Sequence, residues 1–417
     1  MIQDIELVRD TRILFLGFAE PDEIMDLICY EDPIPPIQTH KFNWSLINGI
    51  ECHLDNPLDI ISAMPISDYP RNPRLYIKRR VYKRLSGGDI LNISFLNMLL
   101  LKHFTRFTSA LSAGISWVSQ TKLVNRRVIM IYGVHTPFLI VGQLLSRFFG
   151  IPVIGIWTDP PGVYLPNDGW AKRMIRNVDS SLARKYMKKM NGCVALTHEL
   201  AEDYSPGVPT LIMEGIANIA DYVQTGTESI SNELENKFIV MYAGGLYEHH
   251  GVRALIEGFR QFADASCRLW LFGRGEMEEE VRHIMDDDDR VIYYGFRPNT
   301  EVHRAEKEAT VLINPRPTTS EVTKYLFPSK TIEYMLTGTP VITTRMPGIT
   351  DEYSPYLFFI DDESPTGIAD ALKNIRSHTN KMLMEFGAKA SAFVRESKNP
   401  TVQGKRVVEF IVSLLKK

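Results

Sequence analysis

Phe327-Pro328-Ser329-Lys330-Thr331-Ile332-Glu333-Tyr334-Met335-Leu336-Thr337-Gly338-Thr339-Pro340-Val341-Ile342 reads as a proline-started helix, a glycine stop and a buried strand. Proline suits the first helical position, where its missing N–H is not needed. Ser329 and Lys330 then sit in the first turn, where free backbone N–H groups and the helix dipole favour an anion. Glu333 follows one turn later on the same face. Gly338 ends the helix, and Pro340-Val341-Ile342 opens a strand. A phosphate at the helix mouth with a carboxylate one turn behind it suits a nucleotide diphosphate and its ribose hydroxyls.

Working outward, the chain alternates short apolar runs with longer helical patterns, the mark of parallel sheets and an α/β class. In the first half, residues 12–17, 128–132, 152–157 and 192–197 read as strands, with helices over 136–149 and 171–190. In the second half, residues 238–242, 268–272, 291–294 and 311–313 read as strands. Each of these meets a glycine or proline loop at its carboxyl end, where ligands bind in open α/β sheets. A chain of 417 residues calls for two domains. The loop from Ser205 to Gly215, with the polar stretch 224–235, marks the expected boundary. The expected division is 1–205, 206–383 and a terminal helical segment, 384–417.

The opening stretch resembles the nucleotide-sugar site of family 4 glycosyltransferases of the bacterial polysaccharide type. Its Glu-Tyr-Met-Leu-Thr-Gly-Thr-Pro-Val-Ile run is similar to that family's Glu-Ala-Met-Ala-x-Gly-x-Pro-Val-Val block, and Phe-Pro-Ser-Lys precedes it as in many members. Tyr242-Ala243-Gly244-Gly245-Leu246 with Gly251 resembles the first glycine loop of the donor domain. Leu271-Phe272-Gly273-Arg274-Gly275 resembles the second, and Tyr294-Gly295-Phe296-Arg297 the strand end that holds the base. Met213-Glu214-Gly215-Ile216 resembles the loop that enters that domain. The resemblance implies a GT-B fold, two Rossmann-like domains facing a central cleft, with 1–205 binding the acceptor, 206–383 the nucleotide sugar, and 384–417 forming a helix that crosses back to the first. It implies a retaining transferase whose substrate is a UDP- or GDP-linked sugar, with no resident cofactor and no metal.

The chemistry needs charge stabilisation on the leaving diphosphate. Gly244 and Gly245 let backbone approach a phosphate. Lys330 is the expected phosphate cation, with Ser329 at the helix start and Arg316 as a second cation on the same rim. Glu333 is expected to hold the ribose. Arg274, Phe296, Arg297 and Tyr325 complete the donor-side set. His135, at a helix start after the strand 128–132, sits where family members contact the donor sugar, and its near-neutral titration suits catalysis. Thr158-Asp159 and Gly17-Phe18-Ala19-Glu20 are weaker acceptor-side candidates. Two features depart from the family. Tyr325 stands where an earlier glutamate is usual, with Glu321 close by but out of register. Leu246 and His250 stand where Lys or Arg is usual.

A hydrophobic content of 44% and a charged content of 23% fit a globular protein. No apolar run reaches the length of a membrane span, and the acidic N-terminus lacks the form of a secretion signal. The four cysteines lack metal-like spacing and read as buried free thiols in a reducing cytoplasm. Asp286-Asp287-Asp288-Asp289 reads as a solvated turn. The net charge of −3 hides an asymmetry: residues 69–190 hold 20 Lys or Arg against 4 Asp or Glu, a balance of +16. The densest part, from Arg71 to Arg84, interleaves basic with apolar residues. An apolar helix over 95–118 carries Lys102, His103 and Arg106. This pattern suits an anionic membrane surface and a lipid-linked glycan acceptor; no motif supports nucleic acid. The expectation is a cytoplasmic enzyme, peripheral at the inner face of the membrane. Two other readings stay open, a sugar-nucleotide epimerase of the same fold and a non-catalytic nucleotide-sugar- or membrane-binding partner.

Overall fold

The computed structural model describes residues 11–32, 35–85, 87–162, 170–219 and 237–416. The polar stretch 224–235 expected at the boundary lies outside them. The chain forms two compact units, residues 1–216 with 400–417, and residues 217–399.

The first unit is built on β1 (Thr11–Gly17), β2 (Asp59–Ser62), β4 (Arg80–Lys83), β5 (Asp89–Asn92), β7 (Arg126–Tyr132), β8 (Val153–Trp157), β9 (Gly192–Ala195) and β10 (Thr210–Ile212). They form one sheet in the order β10-β9-β8-β7-β1-β2-β5-β4. All pairs are parallel except β4, which runs antiparallel to β5 on the edge. A short antiparallel pair, β3 (Tyr76–Ile77) and β6 (Phe95–Leu96), stands apart. The helices are α1 (Asp22–Glu31), α2 (Ile37–Glu51), α3 (Leu99–Gln120), α4 (Thr136–Phe149), α5 (Trp170–Met187), α6 (His198–Tyr204) and, from the far end of the chain, α13 (Pro400–Leu415). The central strands β7 and β8 are apolar and buried through most of their length, as helices on both faces of a parallel sheet require.

The second unit repeats the plan with β11 (Phe238–Ala243), β12 (Cys267–Phe272), β13 (Val291–Gly295), β14 (Val311–Asn314), β15 (Val341–Thr344) and β16 (Phe358–Ile360). Its sheet is wholly parallel, in the order β13-β12-β11-β14-β15-β16. Its helices are α7 (Val252–Phe262), α8 (Glu278–Asp287), α9 (Asn299–Glu308), α10 (Ser329–Thr337), α11 (Pro365–Arg376) and α12 (Asn380–Ser397). In both units the chain winds outward one way from a central strand and then returns to wind the other way. The reversal falls between β1 and β7 in the first unit and between β11 and β14 in the second. Such a switch point opens a crevice outside the carboxyl ends of the strands.

Several sequence expectations shift. The division falls at 216/217 rather than 205/206, because β10 pairs with β9 and stays in the first sheet. The return to the first unit begins at Pro400 rather than 384. α12 packs on α10, where Ser391 Oγ and Arg395 Nη2 donate to the carbonyl of Leu336 at 3.1 and 3.2 Å. The helix expected over 95–118 begins only at Leu99, since Phe95 and Leu96 pair with Ile77 and Tyr76. Cys193 and Cys267 are buried, but Cys29 and Cys52 are exposed. Asp288 is no solvated turn residue: it is buried and paired with Arg290 at 2.7 Å and Arg260 at 3.3 Å.

Helix α13 docks on α2 with no room for side chains at the crossing. A Cβ on Gly404 would lie 2.0 Å from the carbonyl of Gly49, and one on Gly49 would lie 2.1 Å from the carbonyl of Pro400. His53 Nε2 to Thr401 O at 2.8 Å and Arg406 Nη2 to Ile212 O at 2.8 Å fasten the same helix. Substituting Gly404→Ala should therefore force these backbones apart and cost about 1–3 kcal/mol of stability. The urea midpoint measures this, and an unchanged midpoint would contradict the contact.

Candidate functional site

In the second unit the loops after β11, β12 and β14 interlock at the switch point. Gly244 N–H donates to Phe272 O at 2.9 Å, and Leu246 N–H to Arg274 O at 2.8 Å. Gly273 has a φ of +129°, and a Cβ there would lie 1.8 Å from Gly244 O. Gly251, at φ +80°, rests against Pro315, where a Cβ would lie 2.0 Å from the carbonyl oxygen. Only glycine fits these approaches. Helix α10 is fixed to the same floor by Tyr334. Its buried hydroxyl accepts from Ala243 N–H at 2.8 Å and donates to Ala243 O at 3.0 Å.

The expected donor-side residues occupy this rim. Gly244 and Gly245 follow β11, the central strand. Arg316 follows β14, its neighbour. The Arg316 guanidinium is half-buried, and among the described residues nothing pairs with it. Its burial pushes its pKa below the ordinary arginine value, with the nearby Tyr242 phenol acting the other way. A guanidinium partly removed from water without a partner is a standing invitation to an anion.

Helix α10 begins at Ser329, so Pro328 is its N-cap and not its first residue. Gly338 ends it in the left-handed conformation, at φ +83°. Lys330 Nζ lies 3.5 Å from Glu333 Oε2, and both side chains are partly exposed. Ser329 is exposed in the first turn. Arg274 stacks its guanidinium 4.4 Å from the centre of the exposed Phe296 ring. Arg297 Nε donates to Tyr294 O at 3.0 Å. These three lie after β12 and β13, on the opposite side of β11 from Arg316 and α10. Tyr325 ends a short 3-10 turn, Glu321–Tyr325, and is half-buried with Lys324 Nζ 4.8 Å from its ring centre. No cluster of three or more His, Cys, Asp or Glu side chains that could hold a metal occurs among the described residues.

In the first unit His135 is the N-cap of α4 and is 9% exposed. Its ring lies 5.1 Å from Phe18, 4.9 Å from Phe138 and 5.6 Å from His103, and its buried Nε2 has no hydrogen-bond partner among the described residues. Burial, then Arg106, His103 and Lys102, hold its pKa well below the ordinary histidine value. The near-neutral titration expected of it is therefore absent; it stays neutral because three basic groups surround it out of water.

Arg106 and Lys102 are the residues that sequence reasoning misplaced. Both are buried, at 5% and 6% exposure, and neither faces a membrane. Arg106 Nη2 donates to Met64 O at 2.7 Å and its guanidinium covers the Phe95 ring at 4.1 Å. Lys102 Nζ donates to Ile66 O at 2.6 Å and to Asp68 Oδ1 at 2.8 Å. Burial pushes their pKa values down to about 9 and about 8. Glu20 is wholly buried beneath them. It accepts from Ser62 Oγ at 2.6 Å and Asn92 Nδ2 at 2.7 Å, so it joins the ends of β1, β2 and β5. Burial pushes its carboxyl up to about 7, opposed by those two hydrogen bonds and by Arg106.

A cavity of 420 Å³ opens beside this cluster, lined by Val134, Asp159, Pro160, Pro161, Gly162, Asp179, Ser180 and Ala183. Thr158 Oγ1 donates to Asp159 Oδ2 at 2.8 Å, and Asp179 lies 3.9 Å from His103 Nδ1.

Residues 237–378 match the family described as "Glycosyl transferases group 1". No curated protein sequence matches the chain. Among solved structures, sucrose-phosphate synthase from Thermosynechococcus elongatus is similar with a TM-score of 0.62 at 13% identity, covering 97% of this chain and 99% of that one. HepE of Anabaena in complex with UDP-glucose gives 0.57 at 14%, covering 96% and 99%. An alpha,alpha-trehalose-phosphate synthase (UDP-forming) from Burkholderia vietnamiensis gives 0.62 at 11%, covering 98% and 100%. At such identities the likeness is one of fold: two Rossmann-like halves of the GT-B type.

Two stability outcomes follow from this geometry. Tyr334→Phe strips the Ala243 backbone of both hydroxyl contacts in a dry setting and should cost about 1–3 kcal/mol in chemical denaturation. Between pH 4.5 and about 7 the folded protein keeps the Glu20 proton that the unfolded chain has released. That stabilisation is full below pH 4.5 and is lost as pH rises through about 7. Relative to Glu20→Gln, the wild type should therefore lose stability across this window, by at most roughly 1.4 kcal/mol per pH unit. Parallel stability curves would contradict it.

Proposed function

We propose that this chain, whose second unit carries a glycosyl transferases group 1 domain, moves a sugar from a nucleoside diphosphate donor to an acceptor, in the manner of family 4. The configuration at the anomeric carbon is retained. The observation that carries this reading is the half-buried Arg316, without a partner among the described residues, at the switch point of the second sheet that also carries α10. The leaving diphosphate gains negative charge as the glycosidic bond breaks, and fixed donors aimed at that charge lower the barrier. Arg316, Lys330 and the first N–H groups of α10 supply them. The Lys330–Glu333 pair is partly exposed and weakly held, so Lys330 turns to a phosphate at little cost. Glu333 is then released to accept from the ribose hydroxyls. Arg274 and Phe296 flank the base, and His135 meets the donor sugar as a neutral ring. No resident cofactor or metal enters this reading. HepE binds UDP-glucose, which supports a UDP-sugar as the first donor to try.

The acceptor is proposed to be a lipid-linked glycan presented at the cytoplasmic face of a membrane, in polysaccharide or glycolipid assembly. Helix α5 supports this with exposed Met174, Val178 and Leu182, four residues apart, beside exposed Arg173, Arg184, Lys185, Lys188 and Lys189. Exposed Tyr76 and Val81 stand among exposed Lys78, Arg79, Arg80 and Lys83. No described helix is long and apolar enough to cross a membrane.

A thermal-shift panel of UDP-, GDP-, ADP- and TDP-sugars identifies the donor, which raises the melting temperature by mass action. With it, Arg316→Ala, Lys330→Ala and Glu333→Ala should each lower kcat/KM for sugar transfer by roughly 10²-fold. Wild-type turnover in all three variants would overturn the assignment. Binding without transfer to any acceptor would favour the non-catalytic partner instead. For the membrane, co-sedimentation with vesicles rich in phosphatidylglycerol should exceed that with phosphatidylcholine alone, fall with salt and weaken in Val178→Glu. Equal binding to both vesicles would remove the anionic surface from the reading.

A further inference from the structure

The loop after β11 gathers three rings, with Tyr247 stacked on His249 and His250 edge-on to both. Tyr247 lies 5.2 Å from His249 and 5.3 Å from His250, and the two imidazoles are 4.5 Å apart. His250 is half-buried, whereas Tyr247 and His249 are exposed. The Nδ1 atom of His250 lies 3.0 Å from the carbonyl of Gly245, which also accepts from the Tyr242 hydroxyl at 2.9 Å. A carbonyl only accepts, so Nδ1 carries the hydrogen and Nε2 is the nitrogen left for another partner. One residue on, Gly251 presses against Pro315, the neighbour of Arg316. The imidazole and the unpaired guanidinium therefore stand on adjacent loops around the Gly244-Gly245 turn.

Two basic groups on neighbouring loops each make it harder for the other to carry a charge. Burial lowers the pKa of His250 below its ordinary value, and Arg316 and His249 push the same way. The Gly245 carbonyl and the Glu276 carboxylate oppose them. Glu248, the nearest acid in sequence, is occupied by Arg253 at 3.1 Å. These surroundings favour the neutral ring, and an anion beside it would favour the charged one.

We infer that His250 is the titratable member of the diphosphate subsite, donating from Nε2 to a phosphate oxygen beside Arg316 and taking up a proton as the sugar nucleotide binds. This rests on the donor site proposed above and adds a regulation to it. Both phosphates of a sugar nucleotide are esterified and carry fixed charges, so the ligand does not titrate in the range where histidine does. Proton uptake on binding makes affinity rise as pH falls toward the pKa of the free imidazole, and level off below it. The subsite would thus hold its donor more tightly in a mildly acidic compartment or growth state.

The test is titration calorimetry with the sugar nucleotide that gives the largest thermal shift, between about pH 8 and 5.5. Runs at neutral pH in two buffers of different ionisation enthalpy count the protons taken up. Wild type should bind about tenfold more tightly at the acidic end and take up a fraction of a proton at neutral pH. His250→Gln should lose both the slope and the uptake. His250→Lys should bind at the tight level throughout, without a slope. His249→Gln should keep the wild-type slope. A slope that survives in His250→Gln, or no proton uptake by the wild type, overturns the inference while leaving the donor site intact. The wild-type proton count decides even if a variant fails to fold. No binding of any sugar nucleotide at any pH overturns the inference and the donor site together.

Discussion

Backbone meets backbone where the strands of the second sheet end, and the candidate donor site is built on that contact. Gly273 against Gly244, Gly275 against Leu246 and Gly251 against Pro315 leave no space for a Cβ, which would stand 1.8, 2.1 and 2.0 Å from the facing carbonyl oxygens. Side chains here would lift the loops off one another. Without them, the ends of β11, β12 and β14 form one floor, and the groups that stand on it inherit its rigidity. Tyr334 extends the floor to α10 through two hydrogen bonds to a single residue, Ala243. The first turn of α10 is thereby referenced to the glycine loop itself. A site of this kind needs its cations and its N–H groups held at fixed separations, because they stabilise charge only where they already point.

The first unit solves the same topological problem differently. Its switch point lies between β1 and β7, and the loops there are joined by polar and charged side chains in place of glycines. Glu20 reaches Ser62 and Asn92, and Arg106 reaches the Met64 carbonyl. The result is a buried network in which an acid is held up to about 7 and a guanidinium down to about 9. Networks of this type hold loops in register only while every member keeps its partner. Three atoms here are buried without a hydrogen-bond partner among the described residues, His135 Nε2, Arg106 Nε and Asn92 Oδ1, so the network is not fully satisfied.

Much of this was legible in the chain. The run from Pro328 to Ile342 announced a helix, a glycine stop and a strand, and residues 136–149 announced α4 to the residue. Strong periodicity and glycine punctuation act locally, so local reading finds them. The reading failed where the deciding partner is distant in sequence. Lys102 and Arg106 looked like charges dotting a membrane-facing helix because Asp68 and the carbonyls of Ile66 and Met64 lie more than thirty residues earlier. A signal was present: residues 102, 106, 110, 113 and 117 share one face of α3, and Ala110, Ala113 and Trp117 mark that face as buried. Lengthwise bounds failed for a similar reason. Only the pairing of β10 with β9 shows that residues 210–212 belong to the first sheet, and only packing on α10 shows that α12 belongs to the second unit.

The cations of the second unit differ in how they wait for a ligand, and the difference has a physical logic. Lys330 is neutralised in advance by Glu333 across 3.5 Å, in a pair open to water. Exchanging that partner for a phosphate costs little, because solvent already screens the attraction. Arg316 has no such partner among the described residues and is half-buried, so desolvation works against its charge. An arriving anion relieves that penalty, and the gain appears as affinity. His250 would take a third course under the proposed linkage: its surroundings favour the neutral ring, and a bound anion would favour the charged one. A subsite built this way would avoid holding three uncompensated positive charges together.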